Sequence, residues 1–193
     1  MKVVETDNLI PKLYQDMIES EASALGWFFH SESARPELAF HHQYGGFFHM
    51  AYDLASPTPV QSAINAILVP LLFIYCDKAQ LELTTLLRIR LGMFTQSPGD
   101  EPFHNPHVDF YAPHQVALYY VNDSDGDTVL FDETFDQISA EQSAPHANQR
   151  KFTEARRISP RKGRMVGFDG KHYHASMHPR NHQSRIVITF NFR

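Results

Sequence analysis

His107 and Asp109 offer an imidazole and a carboxylate with only Val108 between them. On an extended strand, residues i and i+2 emerge on the same face, so the two donors stand side by side while Val108 turns away. Such a pair supplies two of the three ligands of a facial triad, the arrangement that suits non-haem Fe(II) and leaves coordination positions open. A third donor has to come from a distant segment. Phe168-Asp169-Gly170-Lys171-His172-Tyr173-His174-Ala175-Ser176 provides His172 and His174, both on one side of an extended stretch, and both are candidates. The chain's 12 histidines are scattered rather than gathered as in a tag. That number fits a metal site, since imidazole is the commonest side-chain metal ligand. An H-x-D triplet is short enough to arise by chance, so its weight depends on what accompanies it.

Its strongest companion is Arg185-Ile186-Val187-Ile188-Thr189-Phe190-Asn191-Phe192. Period-two alternation puts Arg185, Val187, Thr189 and Asn191 on one face and Ile186, Ile188, Phe190 and Phe192 on the other. A guanidinium turned into a pocket is costly unless it meets an anion, and a carboxylate bound through both oxygens is its best partner. Thr189, further along the same face, is placed to add a hydroxyl hydrogen bond.

Other chemical readings of the sequence are weaker. His174, His178 and His182 have i, i+4 spacing, but Pro179 breaks any helix that would bring them together on zinc. Asp123, Asp125 and Asp127 alternate as in a calcium loop yet lack the downstream glutamate, so a solvated turn is expected. His104 and His114 could line the mouth of a pocket, though surface positions are the expectation. The basic run Arg150, Lys151, Arg156, Arg157, Arg161, Lys162 and Arg164 could steer an acidic or nucleic substrate, though a solvated loop is the expectation.

The elements that position these residues follow a helix-then-strand order. Asn8–Ser23 places Leu9, Leu13, Met17 and Ile18 at helical spacing, with Pro11 in its first turn. Pro59–Tyr75 carries Val60, Ile64, Ile67, Leu68, Leu71, Leu72 and Tyr75 on one broad face, kinked or ended near Pro70. Aromatic stretches at Trp27–His30 and Phe40–Tyr52 read as strand and loop. From Gln80 onward the chain reads as short strands: Leu81–Phe94, His107–Tyr111, Gln115–Asn122, Thr128–Phe131, Gly163–Phe168 and Arg185–Phe192. Turn chemistry at Ser97-Pro98-Gly99-Asp100 and Asp123–Asp127 separates some of them. This pattern predicts a sandwich or jelly roll rather than βαβ units. Asp132–Arg157 has no clear pattern and is expected to be a long loop or lid.

The 193 residues fit a single domain, with a helical and aromatic preface over 1–80 and a β core over 81–193. Composition is that of an ordinary globular chain, 42% hydrophobic and 20% charged. A net charge of −5 argues against charge-driven binding to nucleic acid or anionic membrane. The single Cys76 excludes an intrachain disulfide framework and a Cys-rich zinc site. Neither a signal-peptide core nor a membrane-length apolar run is present, so a cytoplasmic location is expected.

The set His107-x-Asp109, His174 and Arg185 resembles the H-x-D…H…R pattern of the 2-oxoglutarate/Fe(II)-dependent oxygenase superfamily, and the text around it is closest to the prolyl-4-hydroxylase-like branch. The likeness covers roughly Leu83 to Phe192 and includes Leu118-Tyr119-Tyr120-Val121-Asn122 after the aspartate. Two departures stand out. Gly126-Asp127-Thr128 replaces a Gly-Gly, and no tyrosine precedes His107 where some relatives use one. The resemblance implies an α+β, mainly β fold, the double-stranded β-helix (jelly roll) with N-terminal helices packed on it. It implies His107, Asp109 and His174 as iron ligands, His174 being preferred to His172 by the phrase Phe-Asp-Gly-x-x-x-His-Ala-Ser. It further implies Arg185 as partner of the distal carboxylate of 2-oxoglutarate, with Thr189 and Tyr120 as hydroxyl partners.

The expected activity is hydroxylation of a C–H bond in a small-molecule or peptidyl substrate, prolyl among the possibilities, using Fe(II), 2-oxoglutarate and O2 and releasing succinate and CO2. Ascorbate is expected as an auxiliary reductant. Alternative readings are a nucleic-acid oxidative demethylase, which the acidity disfavours, a non-catalytic jelly-roll binding protein, and an iron enzyme without 2-oxoglutarate. The phrase Leu118-Tyr119-Tyr120-Val121-Asn122-Asp123 resembles bacterial and phage-encoded members.

Overall fold

A computed structural model describes residues 1–31, 45–58, 60–97, 103–136 and 152–193, and within them β-strand predominates. In chain order the elements are β1 (Val3–Thr6), α1 (Lys12–Ser23), β2 (Phe28–His30), β3 (Gly46–Asp53), β4 (Val60–Gln61), α2 (Asn65–Ala79) and β5 (Leu86–Thr95). They continue with β6 (Gln115–Tyr120), β7 (Thr128–Thr134), β8 (Glu154–Ile158), β9 (Met165–Asp169), β10 (His172–Ser176) and β11 (Ser184–Phe192). One sheet runs β1-β9-β6-β11-β5-β3-β2 with β4 paired to β3, and a second runs β10-β7-β8. A lone bridge between His107 and His174 extends the second sheet on its β10 side.

From β5 onward the chain passes back and forth between the two sheets, and the described pairings are antiparallel. That is the jelly roll, or double-stranded β-helix. The outer face of the large sheet offers Ile186, Ile188, Phe190 and Phe192 to α1 and α2, where they pack with Ile18, Ala22, Leu68, Leu71, Leu72 and Tyr75. Its inner face meets the small sheet through Val116, Leu118, Tyr120, Leu130, Val166, Phe168 and Val187. β11 is therefore buried on both faces, and its alternation divides a hydrophobic layer from a polar pocket.

Several boundaries differ from expectation. α1 begins after Pro11, which is its N-cap at φ −57° and ψ 149°, because Leu9 and Ile10 are buried in the extended lead-in. α2 passes through Pro70 to Ala79 and ends at Gln80 in the left-handed region. An interior proline costs about 3 kcal/mol. Pro70 is exposed, and burial of Leu68, Leu71, Leu72, Tyr75 and Cys76, at roughly 1.5–3 kcal/mol for each large side chain, outweighs that cost. Val60 is in β4 rather than on the helix face. His107–Tyr111 is not a strand but a loop touching β10 at one residue.

The expected lid is strand at both described ends, with β7 reaching Thr134 and β8 starting at Glu154. Residues 137–151, Arg150 and Lys151 among them, lie outside the described residues. So do residues 98–100 of the first expected turn, residues 40–44 and Pro59. No described helix is long and apolar enough to cross a membrane.

Candidate active site

The pocket has the inner face of the large sheet as its floor. The register of β11 against β5 pairs Arg185 with Phe94, Val187 with Gly92, Thr189 with Arg90, and Asn191 with Arg88. Phe48 on β3, Leu118 on β6, Thr128 on β7 and the loop residues His104, His107 and Asp109 complete the walls, with His174 from β10.

Donor atoms of His107, Asp109 and His174 all lie within 4.8 Å of one another. The loop that carries His107 is fixed by reciprocal backbone hydrogen bonds, His107 N to His174 O at 3.0 Å and His174 N to His107 O at 2.9 Å. His107 donates from Nδ1 to the carbonyl of Asn105 at 3.1 Å, which leaves its Nε2 as the free donor atom. His174 Nε2 is 3.9 Å from Asp109 Oδ2. Burial pushes the pKa of both imidazoles down, that of His174 to about 3, so both are neutral near pH 7, the state a metal requires.

Asp109 is gripped from the floor. Arg88 Nη2 donates to Oδ1 at 2.6 Å and Asn191 Nδ2 donates to Oδ2 at 2.9 Å. Arg88 Nε also donates to Asn191 Oδ1 at 3.0 Å, which fixes the amide orientation and closes a three-residue ring. Burial by itself raises the carboxyl pKa, but Arg88, with His174 and Arg90, overrides it and holds Asp109 well below the usual carboxylate range. The donor set, two neutral imidazoles and one permanently ionised carboxylate, fits a divalent metal such as Fe(II).

Arg185 is almost wholly buried, at 1% exposure. Its Nη2 donates to Thr128 Oγ1 at 2.7 Å, while Nε and Nη1 have no partner. Thr128 Oγ1 also accepts from the Tyr120 hydroxyl at 2.7 Å. With both lone pairs engaged, the Thr128 hydroxyl proton is available to a ligand beside Arg185. A buried guanidinium with two idle nitrogens is costly until an anion completes it.

Of the residues singled out by sequence, His107, Asp109, His174, Arg185 and Thr189 all line this pocket. Tyr120 lies behind the wall, fully buried, with its hydroxyl turned to Thr128. His172 is outside the cluster because β10 shifts register between His172 and His174. His104 and His114, expected at the surface, are buried at 3% and 4% exposure. Asp125, expected in a solvated turn, accepts from the backbone N–H groups of Arg180 and Asn181 and anchors the turn before β11. Among the described basic residues, Arg156 pairs with Glu5, Arg157 with Glu154, Lys162 with Asp16 and Glu19, and Arg164 with Glu5 and Asp7.

Sequence reading missed Arg88, Arg90, Thr128 and Asn191's role. A signal for the arginines was present: Arg88 and Arg90 alternate with Ile89 and Leu91 in an otherwise apolar strand, so the polar face had to be occupied.

No family sequence model matches the chain, and no curated protein matches it by sequence. Solved structures do match over almost its whole length. A 2OG-Fe(II) oxygenase family oxidoreductase from Burkholderia pseudomallei superposes with a TM-score of 0.67 at 11% identity, covering 98% of this chain and 84% of that one. A Pseudomonas putida prolyl-4-hydroxylase gives 0.55 at 15% identity, covering 99% and 91%. The non-heme alpha ketoglutarate dependent epimerase SnoN from nogalamycin biosynthesis, in complex with Fe3+, alpha ketoglutarate and nogalamycin RO, gives 0.60 at 11%, covering 98% and 78%. At these identities the likeness establishes a shared fold, the jelly roll of the 2OG-Fe(II) oxygenases.

Proposed function

We propose that this protein is a 2-oxoglutarate-dependent oxygenase in which His107, Asp109 and His174 hold Fe(II) and Arg185 anchors the co-substrate. The observation that carries the reading is one pocket with a metal-competent triad in its wall and a buried guanidinium with two idle nitrogens. Bound iron supplies O2 activation coupled to decarboxylation of the 2-oxo acid to succinate and CO2.

The protein's own share is binding and orientation. Arg185 receives the distal carboxylate of 2-oxoglutarate, and Thr128 donates its hydroxyl to the same group. Thr189 lines the passage between them and the triad. Tyr120 acts one step back, by holding Thr128 in place, so the contact expected of it passes to Thr128. Val187 and Leu118 keep the pocket apolar between its charged ends. The reaction on the primary substrate is oxidation at a C–H bond, with hydroxylation as the leading outcome. An epimerase shares the fold, so reaction at the same C–H bond can lead to inversion instead, and product analysis separates the two. The substrate is a small molecule or a peptidyl residue.

Anaerobic addition of Fe(II) and then 2-oxoglutarate to the apo-protein tests the reading. A weak visible charge-transfer band is expected. It should vanish in His174→Ala and require at least about tenfold more 2-oxoglutarate in Arg185→Ala, the loss of a charged hydrogen-bond pair. A folded, iron-loaded protein that gives no band overturns the assignment.

A further inference from the structure

The pocket holds more positive charge than a metal-bound 2-oxo dicarboxylate uses. Arg90 and Arg185 line it and Arg88 stands behind Asp109, its one carboxylate, while both triad imidazoles are neutral. Arg88 is committed to Asp109 and Asn191. Arg185 awaits the co-substrate under the reading above. Arg90 remains, and neither a hydrogen bond nor an ion pair joins it to the described residues. The Phe48 ring lies 4.8 Å from its guanidinium carbon and covers one face, and both residues line the pocket. Burial and the neighbouring Arg88 lower its pKa to about 10 against the weaker opposing effect of Asp109, so it is charged at pH 7.

Its place separates it from the co-substrate arm. Arg90 is opposite Thr189, next to the Arg88–Asn191 row that grips Asp109, whereas Arg185 is two rows away opposite Phe94. Arg185 leans on Thr128 toward the small sheet, while Arg90 leans on Phe48 of β3 on the opposite flank. An anion that meets Arg90 therefore belongs to a second ligand beside the metal.

We propose that Arg90, stacked on Phe48, is the receptor for an anionic group, a carboxylate, on the primary substrate. This rests on the oxygenase reading and deepens it: the substrate is an acid whose reacting carbon is placed at the triad by its carboxylate. The guanidinium edge accepts a carboxylate through two parallel hydrogen bonds, which fixes orientation as well as distance. In an acidic chain, net −5, a cationic pocket also concentrates such a substrate against the general field.

The test uses the protein loaded with diamagnetic, redox-silent Zn(II) and one equivalent of 2-oxoglutarate, with arginine Nε–H groups observed by 15N NMR. Acetate is the probe, acetamide its neutral counterpart and inorganic phosphate the alternative anion. The Arg90 signal, assigned by its loss in Arg90→Gln and in Arg90→Lys, should shift saturably with acetate and not with acetamide. Affinity for acetate should fall about tenfold or more in Arg90→Gln, the scale of a charged pair, while that for 2-oxoglutarate changes less than about twofold.

A signal that ignores acetate overturns the proposal, as does acetate binding that persists in both variants. A response to phosphate alone likewise overturns the carboxylate and assigns a phosphate in its place. A tenfold loss of 2-oxoglutarate affinity in Arg90→Gln makes Arg90 a co-substrate ligand and also overturns it. If wild-type protein takes up no 2-oxoglutarate, the oxygenase reading fails by itself, and the acetate response of Arg90 is still read in the Zn(II)-only protein.

Discussion

At the scale of single residues, the site is governed by how Asp109 is held. Its two oxygens meet two donors from the sheet floor, and the donors are locked to each other. Arg88→Ala leaves the carboxylate buried without its cation and frees the Asn191 amide to rotate. Loss of such supporting contacts lowers metal affinity by roughly 10–100-fold, which a competitive Ni(II) titration measures. The pH dependence follows with a definite sign. A carboxyl whose folded pKa is depressed keeps its ionised form, and the stability linked to it, above its unfolded pKa, and loses both as pH falls through the folded value. In Arg88→Ala the raising effect of burial is left with much less opposition. The acid-release midpoint of Ni(II) should therefore move to higher pH than in wild type, and an unchanged midpoint would show that Arg88 does not control Asp109.

At the scale of elements, positions under tight packing are the sensitive ones. A Cβ at Gly126 would come within 2.7 Å of Met177 O, 2.9 Å of Pro179 N and 3.0 Å of Arg185 Cδ. The two tighter ones are backbone, so the 177–179 segment has to shift, and Arg185, in contact with the same Cβ, is disturbed with it. Gly126→Ala is expected to destabilise the fold by about 1–3 kcal/mol and to weaken 2-oxoglutarate binding more than Ni(II) binding, read by thermal melts and paired titrations. Asp125→Ala, which releases the Arg180–His182 turn, should raise amide exchange there and at the start of β11.

Legibility at this scale tracked burial. β11 was readable because one face had to be apolar and the other could not be. β8 was missed because Glu154–Arg157 is exposed at a sheet edge and needs no hydrophobic pattern. His107-x-Asp109 was found through strand geometry, although a loop with a single bridge positions it; the spacing carried the signal and the backbone reason was different. Thr128 left no mark in the sequence, since its role depends on Tyr120 and Arg185 arriving from two other strands.

At the scale of the whole molecule, the pocket joins elements from both sheets, so filling it should stabilise everything at once. Saturating Ni(II) with 2-oxoglutarate at about a hundredfold over Kd adds roughly 2.7 kcal/mol. For a chain of this size that is on the order of 5–10 °C in Tm. Arg185→Gln should keep the metal increment and lose the co-substrate increment. The two helices and the run of strands after Gln80 were legible because hydrophobic periodicity is a whole-chain property; it allowed a sandwich or a jelly roll, and the family resemblance chose the jelly roll. The entry of β1, β2 and β3 into the large sheet was not, since they are short or set beside each other by partners far along the chain.

β11 is the last element in sequence among the described residues, yet it occupies the middle of the large sheet between β5 and β6. During synthesis those two strands have no partner across the gap until Ser184–Phe192 emerges. Their pairing with it is long-range, the kind of contact that makes folding slow and leaves edges exposed meanwhile. The same strand brings Arg185, Thr189 and Asn191. Under the proposed function, a nascent chain therefore has neither a co-substrate anchor nor a clamped Asp109, and the pocket is complete only when the sheet is closed.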